Sequence, residues 1–181
     1  PVGQLVAHVL ELHARILPPR LAPEGNGEGK VRYYEDLTVG ATSKGTGTYL
    51  VTEEEIVEVG RRWDPQPFHT DPVAAAASPF GGLVASSVHL FAMANSVAVK
   101  GDPTAAVSSL GFNDMVNHAP ARPGDVLRTR STVQARRLSR SRPGLGVVET
   151  LVELINQDDV TVLSFVNAAL IRCREAAPPV S

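Results

Sequence analysis

The stretch Trp63-Asp64-Pro65-Gln66-Pro67-Phe68-His69 holds the densest chemistry in the chain. It sets a carboxylate at 64 and an imidazole at 69 around two prolines. On a regular helix, side chains five apart point in different directions. Prolines 65 and 67 instead predict an extended, stiff turn that can bring both groups to one small site. A carboxylate and an imidazole so placed suffice for general acid–base work on water. By residue type alone, an Asp capping a turn beside a surface His explains the pair as well. The second stretch is Phe80-Gly81-Gly82-Leu83-Val84-Ala85-Ser86-Ser87. Its glycines permit positive φ or close backbone approach ahead of a helix. The free N–H groups at that helix start would face any group developing negative charge. A tight turn followed by capping serines would look the same.

These residues need elements to hold them. Thr46 to Val51 reads as a strand. Thr52 with Glu55 has the form of a capping box, so a helix is expected to about Arg62. Asp71-Pro72 predicts a second, short helix running until Pro79. Leu83 to Val99 is apolar, alanine-rich and free of proline, which predicts a buried helix from near Ser86. Four strand candidates follow: 105–112, 125–135, 147–155 and 160–171, separated by turn residues such as Pro123-Gly124, Pro143-Gly144 and Asn156 to Asp159. Strands and helices do not alternate, so a doubly wound fold is excluded. The order fits an α+β fold, an antiparallel sheet wrapped around one long central helix. Residues 1–30 read as an N-terminal extension, with a short amphipathic helix from Val2 to Ile16 and a turn-rich linker over 22–30. Residues 31–175 form the domain and 176–181 a tail.

The chain has 181 residues, 43% of them hydrophobic, which suits one domain. No run approaches the roughly 18–20 apolar residues of a membrane span. Val2 to Leu10 lacks a basic leader and a small-residue cleavage site. The single Cys173 admits no internal disulfide, and with five scattered histidines it forms no metal-ligand spacing. The expectation is a cytoplasmic chain without a metal. A net charge of -2 is no nucleic-acid-binding balance. Seven arginines (122, 128, 130, 136, 137, 140, 142) stand against Asp125 between positions 122 and 142. They read either as a solvated strand face or as a patch for a phosphorylated ligand.

Asp64 and His69, followed by Phe80-Gly81-Gly82, closely resemble the MaoC-like acyl dehydratases, also called the (R)-specific enoyl-CoA hydratase family. Arg32 to Leu37 with Val39-Gly40, Pro120 with Arg122 to Asp125, and Ser141 to Gly144 extend the resemblance, which covers about residues 31 to 172. The resemblance implies a hot-dog fold around the helix from Ser86, and a homodimer. It implies reversible hydration of a trans-2-enoyl-CoA to an (R)-3-hydroxyacyl-CoA, with no cofactor beyond the coenzyme A of the substrate. It places the catalytic Asp and His on Asp64 and His69, and the oxyanion amide on Ser87. Asp64 is expected as the base and His69 as the proton partner for C2. Gln66, Phe68, Phe80, Gly81 and Gly82 are expected to line the substrate, and Arg136 and Arg142 to meet its phosphates. Gln66 stands where many members carry Asn, Ser87 where many carry Gly, and Val116-Asn117-His118 replaces a stretch that commonly holds Arg or Trp. A thioesterase on the same fold, or a non-catalytic acyl-binding or dimerisation module, are the rival readings. His89 reads as a packed residue or part of a dimer interface, His118 as a loop-edge surface residue, and Trp63 as an anchor for its helix. Cys173 has no base beside it.

Overall fold

The computed structural model describes residues 30–100 and 103–174. The expected N-terminal helix, all of the linker but Lys30, and the tail 176–181 lie outside the described residues. A short 3-10 turn, Tyr34–Asp36, leads into β1 (Thr42–Lys44) and β2 (Tyr49–Leu50). Helices α1 (Glu53–Trp63), α2 (Pro67–Thr70), α3 (Pro72–Ala76) and α4 (Ser87–Ala98) follow, and then four long strands. These are β3 (Ala106–Asn117), β4 (Val126–Leu138), β5 (Leu145–Ile155) and β6 (Thr161–Arg172). The sheet is antiparallel in the order β1-β4-β5-β6-β3, and β2 also pairs with β4. No helix among the described residues is long and apolar enough to cross a membrane.

Helix α4 is the centre of the fold. The Ser86 side chain caps it by accepting the His89 N–H. Leu90, Met93, Ala94 and Val97 recur at helical spacing and are buried. Leu90, Met93 and Ala94 pack with Leu127, Val152, Leu154, Val162, Leu163 and Phe165 of the sheet, in one core cluster with Val51, Ile56 and Ala75. Burying one such large side chain contributes roughly 1.5–3 kcal/mol. Leu37, Val133, Val148 and Ile171 form a second, smaller cluster against Tyr34.

The long strands exceed their expected bounds. β3 continues through Asn113 to Asn117 and β4 through Arg136 and Arg137. The exposed residues there carry no apolar–polar alternation, and the ladders to β6 and β5 supply the order instead. Only Tyr49 and Leu50 of the expected 46–51 strand pair with β4, and Thr42–Lys44 pairs with the same strand further along. The capping box at Thr52 is half formed. The Thr52 hydroxyl takes the Glu55 N–H at 3.2 Å, while the Glu55 carboxylate turns to the Tyr49 hydroxyl. Trp63 is no anchor: it is 62% exposed, with the Arg62 guanidinium over its ring. The chain leaves the helix at Asp64, and it is α2 that covers this end of α1.

The 63–69 stretch also departs from the expected all-extended turn. Gln66 is extended, with φ −74° and ψ 146°, but Pro67 opens the one-turn helix α2. Proline at the first helical position loses no ladder bond and has its φ already set. His69 therefore sits on a helical turn and is buried, 6% exposed.

Candidate active site

Asp64 ends α1, with its N–H bonded to the Gly60 carbonyl at 2.9 Å. Pro65 disfavours helical geometry before it, and the Asp64 carbonyl takes the Gln66 N–H at 2.8 Å. Gln66 caps α2 through its backbone: its carbonyl accepts the His69 N–H and the Thr70 hydroxyl, each at 2.9 Å. This short path returns the imidazole to the carboxylate, with His69 Nε2 3.6 Å from Asp64 Oδ2.

The imidazole is held on its other side by Val84. His69 Nδ1 lies 2.6 Å from the Val84 carbonyl oxygen. A carbonyl only accepts, so Nδ1 carries the proton and, in the neutral ring, Nε2 presents a lone pair toward Asp64. The Val84 N–H bonds the Phe68 carbonyl at 3.1 Å, so one residue clamps α2 twice. Phe68 meets His69 edge-on at 4.6 Å and Phe80 at 5.0 Å. The Phe80–Gly82 loop has φ of +65° at Gly81 and +159° at Gly82, values that favour glycine. Arg122 holds this loop by donating to the Phe80 carbonyl at 2.6 Å.

A cleft of about 340 Å³ opens here, lined by Phe68, Phe80, Val84 and Leu90 together with His69, Ser87, Asn117 and His118. Ser87 is the first residue of α4, and the Ser86 cap takes the His89 N–H. The amides of Ser87 and Val88 thus stand ahead of the helix ladder. The Ser87 hydroxyl accepts from Asn117 Nδ2 at 2.6 Å, tying the helix start to the end of β3.

The MaoC like domain model matches residues 36–156. The chain belongs to the MaoC-like domain family. A MaoC-like dehydratase from Rhodospirillum rubrum is 33% identical, with a TM-score of 0.74 over 79% of this chain and 98% of that one. The uncharacterized protein YdeM of Bacillus subtilis is 27% identical over 142 residues, which is 76% of this chain and 97% of that protein. The (R)-hydratase PhaJ1 from Pseudomonas aeruginosa, 20% identical with a TM-score of 0.61 over 82% of this chain and 95% of that one, shares the fold. The hot-dog architecture expected from the sequence is the one observed.

In this MaoC-like domain, His69, Ser87, Phe68 and Phe80 meet at one cleft; Asp64 does not line it and reaches it only through His69, 3.6 Å from Nε2. Gln66 is exposed, and Gly81 and Gly82 shape the loop without lining the cleft. The structure does not bring Arg136 and Arg142 to it. Arg136 donates to the Tyr34, Glu35 and Leu37 carbonyls at 3.0, 3.4 and 3.1 Å and stacks on Tyr34. Arg142 lies in the turn between β4 and β5, its N–H on Ser139 Oγ at 3.2 Å. Other arginines of the segment are engaged as well: Arg128 with Asp159, and Arg130 with Glu153 through bonds of 2.8 and 2.7 Å. Arg136→Gln is expected to cost about 1–2 kcal/mol in denaturant melts. It should leave the Michaelis constant for an acyl-CoA unchanged, and a raised constant at full stability would return Arg136 to the ligand.

Two contributors escaped the sequence reading, and two more, Asn117 and His118, were singled out there without a role in the site. The Val84 carbonyl and Gly60 act through backbone, which no side-chain motif reveals. Asn117 and His118 line the cleft only because β3 extends to residue 117, and His118 Nε2 there bonds Ser164 Oγ at 2.8 Å. Asn95 turns back onto the Phe91 carbonyl at 2.8 Å. Among the described residues no group of three His, Cys, Asp or Glu is placed to hold a metal ion.

Within α4, His89 is packed as expected, 2% exposed, with neither ring nitrogen hydrogen-bonded. Its Nε2 is 3.6 Å from Glu55 Oε1, and Glu55 also accepts the Tyr49 hydroxyl. Burial, and then Glu55, push the Tyr49 hydroxyl up to about 12. Burial holds the His89 imidazole below its ordinary value, against the opposing pull of Glu55. The unfolded chain therefore takes up this proton at a higher pH than the folded one. Stability should fall as pH drops through about 6.5, and the loss should level once folded His89 is also protonated. Melting temperatures of the wild type and His89→Leu across this range check it, since the leucine variant should lack that slope.

Proposed function

We propose that this protein is a hydro-lyase that reversibly hydrates trans-2-enoyl-CoA to (R)-3-hydroxyacyl-CoA. The observation that carries this reading is the Asp64–His69 pair, 3.6 Å apart, with His69 lining a cleft that is also lined by Ser87, the first residue of α4. A water with a contact of about 2.8 Å to each acceptor fits such a pair. The Ser87 N–H, aided by the helix dipole, supports the negative charge that gathers on the thioester oxygen as water attacks. The water oxygen bonds to C3, the C2–C3 double bond opens toward the thioester, and one water proton passes to the pair. A proton then returns to C2, so no oxidant, reductant or further cofactor is needed.

The tautomer refines the division of roles expected from the sequence. With Nδ1–H committed to Val84, Nε2 of the neutral ring carries no proton. His69 can hand a proton to C2 only after taking one, so Asp64 and His69 serve as a coupled base before His69 serves as the acid. The carrying experiment follows loss of conjugated-enoyl absorbance with crotonyl-CoA while free thiol is titrated. Absorbance loss without thiol supports the hydro-lyase, thiol release replaces it with a thioesterase, and an inert protein leaves an acyl-binding module.

The working unit in this proposal is a homodimer formed along β3, the edge of the sheet. Leu110, Phe112, Met115 and Val116 of that strand, with Val88 of α4, are all at least 40% exposed. A second copy covering this edge removes both the apolar fringe and the open outer edge of β3. Light scattering at micromolar concentration should give twice the chain mass; a monomer defeats the assignment.

A further inference from the structure

The geometry points to Gly60 as a positioning residue for Asp64 and His69, an assignment that rests on the hydro-lyase reading of that pair. Gly60 lies within α1 and is buried. A Cβ at this position would stand 2.5 Å from the His69 carbonyl oxygen, 2.9 Å from His69 Cβ and 3.1 Å from the His69 carbonyl carbon. Two of these are backbone atoms and the third is bonded to the backbone, so none can swing aside as a side-chain tip can. The Gly60 carbonyl meanwhile accepts the Asp64 N–H at 2.9 Å. One residue thus fixes both members of the pair: Asp64 by a hydrogen bond, His69 by a close backbone approach.

The opposite flank of α2 is held by Val84, through the Phe68 carbonyl and His69 Nδ1. His69 is seated between the backbone of α1 and the segment that leads into α4. This seat sets the 3.6 Å separation from Asp64. A methyl at residue 60 must drive His69 back by roughly 1 Å to reach ordinary van der Waals contact. A displacement of that size at a reacting group costs on the order of 10²-fold. Helix propensity alone makes the opposite forecast, because alanine is the better helix former.

The test compares the wild type, Gly60→Ala and Ile56→Val. Ile56 is buried in the same helix and its loss of one methyl is an ordinary core change. Crotonyl-CoA kinetics, thermal melting and the ¹⁵N signals of the His69 ring are read for each. Gly60→Ala is expected to lose about 100-fold in kcat with KM within about threefold. It should also show a displaced pH–rate profile and an altered Nδ1 signal, while Ile56→Val keeps the wild-type kcat and ring signals. A folded Gly60→Ala protein with kcat within about twofold of wild type overturns the proposal. So does a Gly60→Ala protein that no longer folds, since residue 60 would then hold the fold rather than the pair. An inert wild type sinks the hydro-lyase reading instead, and the ring signal then decides the seat: no change in Gly60→Ala removes it.

Discussion

Asp64→Asn is expected to lower hydration of crotonyl-CoA by about 10²–10⁴-fold while melting as the wild type does. Asparagine keeps the shape of the side chain but takes no proton from water. The backbone bonds that place residue 64, to Gly60 and from Gln66, do not involve the carboxylate. The side chain is about a third exposed, so no core cavity opens. His69→Ala should lose activity comparably, but with a lower melting temperature. The difference arises because the His69 ring is buried and its Nδ1 bonds the Val84 carbonyl. The two activity losses should fall far short of additive, because either change breaks one shared water site. Were Asp64 merely closing a turn, asparagine would do so equally well. An active, normally melting Asp64→Asn protein would end the proposed mechanism and leave the family membership describing fold alone.

The second large effect concerns an amide. Ser87→Pro removes the N–H assigned to the developing oxyanion, and its expected cost is about 10²–10³ in kcat. Proline is tolerated at this position on two counts. Ser87 is the first residue of α4, where the missing N–H breaks no ladder bond. Ser86 before it is already extended, with φ −73° and ψ 160°, as a residue preceding proline prefers. Ser87→Ala is the companion variant. It keeps the amide, loses only the Asn117 bond, and should change kcat far less. Turnover of Ser87→Pro near that of Ser87→Ala, in a protein that melts normally, would move the oxyanion elsewhere.

The sequence determined the elements whose signals are local. The Thr52, Asp71 and Ser86 caps, the alanine-rich run behind Ser86 and the turns at Pro123, Pro143 and Asn156 act within a few residues of themselves. They set α1, α3, α4 and the succession of strands along the chain, and they match the structure to within a few residues except in β1, β2 and the length of β3. Asp64, His69 and Ser87 were singled out by the family resemblance, because residue type and spacing alone fit a capping Asp, a surface His and an ordinary helix cap equally well. The tertiary structure decided what depends on contacts between distant segments. Pro67 starting α2 rather than extending the turn is settled by the seat of His69 between Gly60 and Val84. The ring tautomer follows from a carbonyl fifteen positions away. Arg136 reads as a phosphate contact in the chain, yet the fold brings it to the carbonyls of residues 34–37. Asn117 and His118 reach the cleft because β6 carries β3 past its apolar pattern. In each case a backbone group or a charge is satisfied by a partner remote in sequence. A spacing rule cannot contain that partner, and an unmade hydrogen bond in a buried place makes it compulsory.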